Sequence, residues 1–399
     1  MASARHVIVA GAGIAGLTAA LTLSRAGFRT TVLEQSPRLE EAGAGLQLSP
    51  NATSILTDLG LRDQLMPLAV SPQMIRVMSG STGQEITRIP LGAQAEARYG
   101  APFWTLHRAD LQAVLADAAR RTLDIDIKLG CRFDDFAGHR TGVTVQCYVG
   151  HNVVDERGAV LIGADGIWSN VATRMGRQHR PDFAHRTAWR ALVPAASVPL
   201  HYRSDVVHLW LGIDAHLVLY PVKSSQMINI VGIVHDEWQE AGWQTEGQRD
   251  EILRNFARFS WAENVRELLA IPDRWRKWAL YDRTTPFAGG DGPVTLIGDA
   301  AHPMLPFLAQ GAGMAIEDAA ELAACLKRNA DNPQQGLRSY EAARRRRTAR
   351  AQAISRQQGK IYSQTGPEAL IRNIGMKLLG GNRLLHRYDW LYRWQPSDI

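Results

Sequence analysis

Short apolar runs that end in glycine alternate with longer stretches of helical periodicity. His6–Ala10 is a five-residue run of strand type, and Gly11-Ala12-Gly13-Ile14-Ala15-Gly16 follows it directly. Leu17–Arg25 continues with the spacing of an amphipathic helix and stops at Gly27; Arg29–Leu33 is a second strand, with Glu34 at its end. Two later runs repeat the strand-and-turn theme. Val160–Gly163 leads into Asp165-Gly166 and on to Arg174, and Val294–Ile297 leads into Gly298-Asp299. Between them, Val206–Tyr220 and Met227–Val234 alternate or run apolar between Gly, Pro and Ser breaks, the pattern of hairpin-connected strands. Helical periodicity returns over Arg249–Leu269 and again over Met314–Arg328. The chain therefore predicts an α/β fold, and 399 residues predict two packed domains.

The first unit carries chemistry. Strand, glycines, helix, strand and terminal acid occur in the order of a Rossmann-type βαβ dinucleotide site. Gly11 makes the tight turn, Gly13 lets the backbone approach a pyrophosphate, and Gly16 lets helix and strand pack; the backbone at Ala15 belongs to the same cradle. The helix N-terminus presents amide donors and the positive end of its dipole to phosphates. Glu34 is placed to bind a ribose 2′-hydroxyl, and an acid there disfavours a 2′-phosphate. The glycines alone do not separate NAD from FAD. Asp165 and Asp299 each stand just past a β-run, where a doubly wound sheet presents its ligands. Asp299 is then placed to bind the hydroxyls of a ribityl chain. After a proline-rich loop, Gln310-Gly311-Ala312-Gly313 opens a helix whose first amides point at a flavin's pyrimidine edge and favour its reduced anion.

These three motifs together resemble the single-component (group A) FAD-dependent aromatic hydroxylases, in the salicylate hydroxylase-like and 3-hydroxybenzoate 6-hydroxylase-like branch. The resemblance runs from about residue 6 to the tail, where Tyr388-Asp389-Trp390-Leu391-Tyr392 is also similar. Within it the family's helix-start arginine, in an HRADL-type stretch, is Arg108, and the resemblance implies that it contacts the flavin phosphates or ribityl chain. The resemblance implies FAD as cofactor and NADH or NADPH as transient co-substrate. It also implies O2 activation through a flavin C4a-hydroperoxide and a possible homodimer. It further implies a Rossmann-type FAD-binding domain with an inserted antiparallel β-sheet substrate domain and C-terminal helices. The boundaries are 1–71, 99–176 and 285–355 for the first domain, 72–98 and 177–284 for the second, and 356–399 for the tail. No second dinucleotide fingerprint is present, which suits a nicotinamide cofactor that visits transiently.

Composition narrows the alternatives without changing this picture. Apolar residues make up 45% and charged residues 21%, an ordinary globular balance. No apolar run approaches the ~20 residues of a membrane span, and the N-terminal residues lack the features of a signal peptide, so a cytoplasmic location is expected. Cys131, Cys147 and Cys325 form no CxxC pair, which excludes a dithiol motif or a cysteine-rich metal site and leaves ordinary thiols. The net charge is +6. Arg344–Arg347 carry much of it in a helical stretch, where a solvated surface is expected. Neither a basic face with stacking aromatics nor a nucleic-acid module accompanies the charge.

Hydroxylation of an aromatic ring needs an electron-rich phenol, a base near its oxygen and a water-poor pocket. His216 and Tyr220 are the leading candidates. At i and i+4 of one strand they face the same side, and the resemblance implies that a matching His-xxx-Tyr pair contacts the substrate hydroxyl. A histidine and tyrosine satisfied at a domain interface would show the same spacing. Arg190 is a candidate carboxylate anchor or a structural strand arginine, Trp189 and Trp104 are candidate pocket walls for which core packing is the commoner use, and His302 is a structural support for the proline-rich loop. The 3-hydroxybenzoate branch carries glutamine where Pro306 stands, and the salicylate-like branch has proline there. The hydroxynicotinate branch carries histidine where Gln47 stands, so that substrate is not supported, and Gln47 is a candidate cofactor contact. Other readings of the same motifs are an FAD oxidase or dehydrogenase, and a non-enzymatic flavin-binding redox sensor.

Overall fold

The structure is a computed structural model that describes residues 5–39, 44–176, 180–240, 242, 245–258, 260–285, 287 and 289–397. Five strands form a parallel sheet in the order Val294–Leu296, Val160–Gly163, His6–Ala10, Arg29–Glu34, Ile125–Leu129. Its inner strands His6–Ala10 and Val160–Gly163 read as near-continuous apolar runs because both faces are covered. Val7, Val9 and Val32 pack with Leu17 and Leu23 of the helix Ile14–Arg25 and with Ile316 of the helix Gly311–Arg328. Ile8, Ala10 and Leu33 pack instead on Phe133 and Val145 of a three-stranded antiparallel meander over Cys131–His139, Gly142–Val149 and Asn152–Gly158. All three cysteines are buried and free, with Cys131 and Cys147 Sγ atoms 3.0 Å apart.

A second sheet has eight strands, in the order Thr245–Gln248, Arg274–Asp282, Asp182–Pro194, Met227–His235, Ala215–Val222, Val206–Leu211, Met74–Ser79, Glu85–Pro90. The expected antiparallel pairing holds at each junction but one. Met74–Ser79 runs parallel to Val206–Leu211. The hairpin over 74–90 comes from an earlier segment, and no tight turn joins it to 206–211, so nothing forces antiparallel pairing there. One face of this sheet buries Trp189, Leu217 and Ile230 against the helices Arg249–Ala257 and Glu263–Ala270. The periodic stretch 249–269 splits into two helices around Trp261. A Cβ on Gly80 or Gly212 would stand 2.5 or 2.3 Å from the Trp261 ring, so the indole fills a slot that a continuous helix would not reach.

The four consecutive arginines are not a solvated surface. Arg345 and Arg346 are exposed, but Arg344 is buried, its Nη1 donating to Glu317 Oε2 and its Nε to Asp318 Oδ1, each at 2.7 Å. Arg347 Nε reaches Glu317 Oε2 at 2.6 Å. Glu317 and Asp318 point into the protein from a helix buried nearly throughout, and buried carboxylates require counter-charges. The expected boundary at 355/356 also falls inside one continuous helix, Pro333–Tyr362. That helix grips the proline-rich loop: Gln352 Nε2 donates to Pro303 O at 2.8 Å and Ser355 Oγ to Leu305 O at 2.6 Å.

Candidate active site

The glycine turn is shaped as a dinucleotide cradle. Gly11 has φ +106°, and a Cβ there would lie 2.5 Å from Ala164 O. A Cβ on Gly16 would lie 1.9 Å from Gly11 O, whereas nothing stands within 4 Å of one on Gly13, which faces open space. Gly16 thus serves helix–strand packing and does not line the cavity. Glu34 braces the turn, accepting from Ala12 N through Oε2 and from Ser36 N through Oε1, both at 2.8 Å. A carboxylate oxygen has lone pairs to spare for a ribose hydroxyl. Asp165 has both oxygens engaged: Ser169 Oγ donates at 2.5 Å and Val171 N at 3.0 Å, which caps the short helix Asn170–Arg174. Burial raises the Asp165 pKa, and those donors oppose the rise.

From this cradle a cavity of about 1130 Å³ runs between the two sheets. Gly11, Gly13, Ala15 and Glu34 line one end, and Arg108, Gln47, Asp299, Gly311 and Ala312 its middle. Burial raises the Asp299 carboxyl pKa, while Arg108 and His302 pull it down. At the far end the large sheet supplies Arg190, His216, Tyr220 and an apolar wall of Val218, Val231 and Ile233, with Pro306 beside them.

The chain matches the family described as FAD binding domain over residues 4–355. It is 36% identical over 387 residues to 3-hydroxybenzoate 6-hydroxylase 1 of Aquipseudomonas alcaligenes, covering 97% of this chain and 96% of that one. It is also 36% identical over 381 residues to 3-amino-4-hydroxybenzoate 2-monooxygenase of Streptomyces cremeus, covering 93% and 91%. This chain belongs to the FAD-dependent aromatic hydroxylases. A salicylate hydroxylase substrate complex superposes on the hydroxylase with a TM-score of 0.82 at 27% identity, covering 98% of this chain and 96% of that one. The open face at Gly13, the helix N-terminus behind it and the braced Glu34 fit the diphosphate and ribose of FAD.

The hydroxylase brings most of the sequence candidates together, with exceptions. Strand alternation puts Arg190 on the cavity face and turns Trp189 to the other side, where its ring meets Gly247 and lies 5.3 Å from Lys277 Nζ. Trp189 is therefore core and not a pocket wall, as is Trp104. Gly313 does not reach the cavity; a Cβ on it would stand 2.9 Å from Gln310 Oε1, within a buried network that also holds Ser49, Asn51 and Glu317. His302 Nε2 lies 2.5 Å from Asp318 Oδ2, an oxygen that also accepts from Gly298 N at 2.8 Å. The Gly298-Asp299 turn and the helix Gly311–Arg328 are thus tied through one carboxylate. Burial alone would raise the Asp318 pKa, but His302 and Arg344 hold it at about 2.

His216 and Tyr220 share one face of the strand Ala215–Val222. Phe307 and Tyr362 close over the imidazole with ring centroids 5.3 Å away, and His216 Nδ1 has no protein partner. Burial, with Arg186 adding to it, lowers the His216 pKa to about 3, so the ring is neutral at pH 7. Burial pushes the Tyr220 phenol well above its ordinary range. Arg190 is half-buried where it lines the cavity, and desolvation there brings its pKa down to about 9; it remains a cation at neutral pH, 3.7 Å from the Trp278 ring centroid, with Nε unpartnered. Sequence reasoning missed Trp278, Tyr362 and Asn229. Asn229 Oδ1 accepts from Gly45 N at 2.9 Å and joins the small strand carrying Gln47 to the large sheet beside Tyr220. The Arg190–Trp278 contact depends on cross-strand register, which no local motif records.

Proposed function

We propose that the hydroxylase acts on a small phenolic or heteroaromatic acid of the hydroxybenzoate or salicylate type, with NAD(P)H and O2. In this reading the eight-stranded sheet is its substrate domain. The observation that carries this is a bipolar arrangement on one sheet face. Arg190 pairs across to Val231, and Val231 to Val218, which lies midway between His216 and Tyr220. A half-buried guanidinium and two neutral hydrogen-bonding tips are thus separated by two strand spacings, roughly 10 Å, with apolar residues between. A flat ring with a carboxylate at one edge and a hydroxyl meta or para to it matches that layout better than the adjacent groups of a salicylate do. The names of the relatives, acting on 3-hydroxybenzoate and 3-amino-4-hydroxybenzoate, support the same class.

Arg190 binds the carboxylate. Tyr220 donates to the phenol oxygen, and neutral His216 takes the phenol proton as the ring becomes electron-rich; the developing phenolate stabilises the imidazolium. Phe307, Tyr362, Val218 and Ile233 exclude water from the reacting carbon. Bound FAD, reduced by NAD(P)H, supplies the activated oxygen. The test is a panel of hydroxybenzoates, aminohydroxybenzoates and hydroxynicotinates, scored by NADH or NADPH oxidation and by product mass. One member should both accelerate nucleotide oxidation and gain one oxygen atom. A panel in which no acid does so defeats the reading.

A further inference from the structure

The cofactor half and the large sheet meet around Tyr220. Asn229 is the cross-strand partner of Tyr220 and, on its other side, of Leu192, so it stands on the cavity face in one row with Val231 and Ile233. These neighbours line the cavity, whereas Asn229 is fully buried, because the backbone of Gly45 closes over it. A Cβ on Gly45 would stand 2.7 Å from Asn229 Cγ and 2.7 Å from Tyr220 Cε2, so the glycine touches both side chains. Gly45 N donates to Asn229 Oδ1 at 2.9 Å, and the carbonyl of the same peptide, Ala44 O, accepts from Arg108 N at 2.8 Å. One peptide group is therefore pinned at both ends, and Leu46 and Gln47 follow it along the cavity wall. Among the described residues the strand Gly45–Leu48 pairs with Trp104–His107 alone, so Asn229 supplies the acceptor that a further strand would otherwise give. Thr105 Oγ1 donates to Pro221 O at 2.6 Å, a second tie one residue along from Tyr220.

We infer that Asn229 is a positioning residue for hydroxylation: it fixes the Ala44–Gly45 peptide, and with it the wall at Leu46 and Gln47, against the Tyr220 ring. The inference rests on the reading that His216 and Tyr220 hold the substrate's phenol. Leu46 and Gln47 border the middle of the cavity, where Asp299 and Gly311 also lie, and Tyr220 borders its acid end. The spacing of these two walls sets how closely the ring carbon approaches the activated oxygen. Stability alone does not account for an asparagine here. Its Nδ2 is buried without a partner, an arrangement that costs free energy and that a residue kept for packing would avoid. The spacing matters to one of two outcomes. Hydroxylation turns the ring C–H, NAD(P)H, H+ and O2 into the ring C–OH, NAD(P)+ and H2O. With the ring out of reach, NAD(P)H, H+ and O2 give NAD(P)+ and H2O2 instead. Loosening the pinned peptide therefore diverts oxygen to peroxide without stopping nucleotide oxidation.

The experiment compares wild-type holoenzyme with Asn229→Ala on an acid that the wild type hydroxylates. Product formed per nucleotide oxidised is read together with hydrogen peroxide released; acid Kd, FAD content and thermal midpoint are measured alongside. Hydroxylation should fall about tenfold to a hundredfold, the scale of a misplacement near ~1 Å, while acid binding and nucleotide oxidation persist and peroxide makes up the difference. Without turnover, deuterium uptake by segments containing Gly45 should be faster in the variant, because that amide has lost its acceptor. Asn229→Asp keeps an oxygen at the same reach and should recover coupling. Gly45→Ala tests the contact from the other side: the acceptor stays, but the added Cβ pushes the peptide away from Tyr220. It should uncouple as Asn229→Ala does, and it decides the question should Asn229→Ala not fold. Wild-type coupling in Asn229→Ala overturns the inference, and so does a loss spread equally over nucleotide oxidation and product, which leaves a structural asparagine. Hydroxylation equal to wild type in Tyr220→Phe removes the underlying phenol reading instead, so the two failures are distinguishable.

Discussion

The Arg190 guanidinium lies 3.7 Å from the centroid of the Trp278 ring, on the neighbouring strand of the same sheet face. Stacking of this kind fixes the plane of the guanidinium while leaving its edge free for hydrogen bonds, and a lysine cannot reproduce it. If this edge holds the substrate carboxylate, Arg190→Lys should weaken acid binding nearly as much as Arg190→Met. Each should raise the acid Kd about tenfold to a hundredfold, since a charged hydrogen bond is worth roughly 1.5–3 kcal/mol. Titration of flavin absorbance with the acid checks this; a lysine variant with native affinity sinks the stacked-anchor idea.

His216 offers a second test, one that separates chemistry from folding. His216→Ala should keep FAD and NAD(P)H oxidation in the presence of the acid, yet lower product formation on the order of a hundredfold, the lower range for loss of a positioned base. The uncoupled electrons should appear as hydrogen peroxide. Product formation equal to wild type, measured by chromatography against nucleotide consumed, removes His216 from the proton-transfer role.

The same histidine ties stability to pH. Its pKa is lowered to about 3 in the folded protein against an ordinary 6.5, and burial likewise lowers that of His208 to about 4. Between these values the unfolded chain binds the protons that the folded chain refuses. The stability these groups contribute is therefore complete above the ordinary value and is lost as pH falls from about 6.5 toward 4 and 3. Replacing His216 with Asn should flatten the fall of thermal midpoint over that window. A slope identical to wild type shows that other groups dominate acid unfolding.

The cofactor half was legible in the sequence because its signals are local. Gly11, Gly13, Gly16, Glu34, Asp165 and Asp299 lie at turns whose geometry is written within a few residues. The substrate half was only partly so. The i, i+4 spacing of His216 and Tyr220 follows from strand periodicity, but their neighbours Phe307 and Tyr362 arrive from about 90 and 145 positions downstream in the chain. For Trp189 the structure bears out core packing over the pocket wall, because a one-residue step along a strand exchanges the two faces. The arginine run, by contrast, misled. Four adjacent basic residues look solvated until Glu317 and Asp318, on a helix nearly thirty positions upstream, are seen to face two of them.

That ion cluster makes the strongest stability prediction. Arg344 is the shared partner of Glu317 and Asp318, and Asp318 in turn holds Gly298 N and His302. Arg344→Met keeps much of the side-chain volume but takes a buried counter-charge from two buried carboxylates, leaving Glu317 to Arg347 and Asp318 to His302 and Gly298 N. The cost should be about 3–5 kcal/mol in a denaturant titration, the range for breaking a buried ion pair from one side. FAD should also bind more weakly, because Asp318, the carboxylate that tethers the Gly298-Asp299 turn, loses one of the groups that hold it. A variant with wild-type stability and FAD content refutes the coupling between this cluster and the cofactor site.

The two glycines of the cradle should fail in opposite ways. A Cβ on Gly16 would sit 1.9 Å from Gly11 O, inside the protein's own backbone, whereas one on Gly13 meets nothing within 4 Å. Gly16→Ala should therefore destabilise the fold itself, as a clash that only a shift of the first strand or helix relieves. Gly13→Ala should fold with a native circular dichroism spectrum and thermal midpoint near that of cofactor-free wild type. It should nevertheless purify with little or no FAD, because the added methyl occupies the space where the diphosphate approaches. Full flavin occupancy in Gly13→Ala, read from the ratio of absorbance at the flavin and protein bands, removes Gly13 from the binding surface. A soluble, FAD-replete Gly16→Ala contradicts the packing role assigned to Gly16.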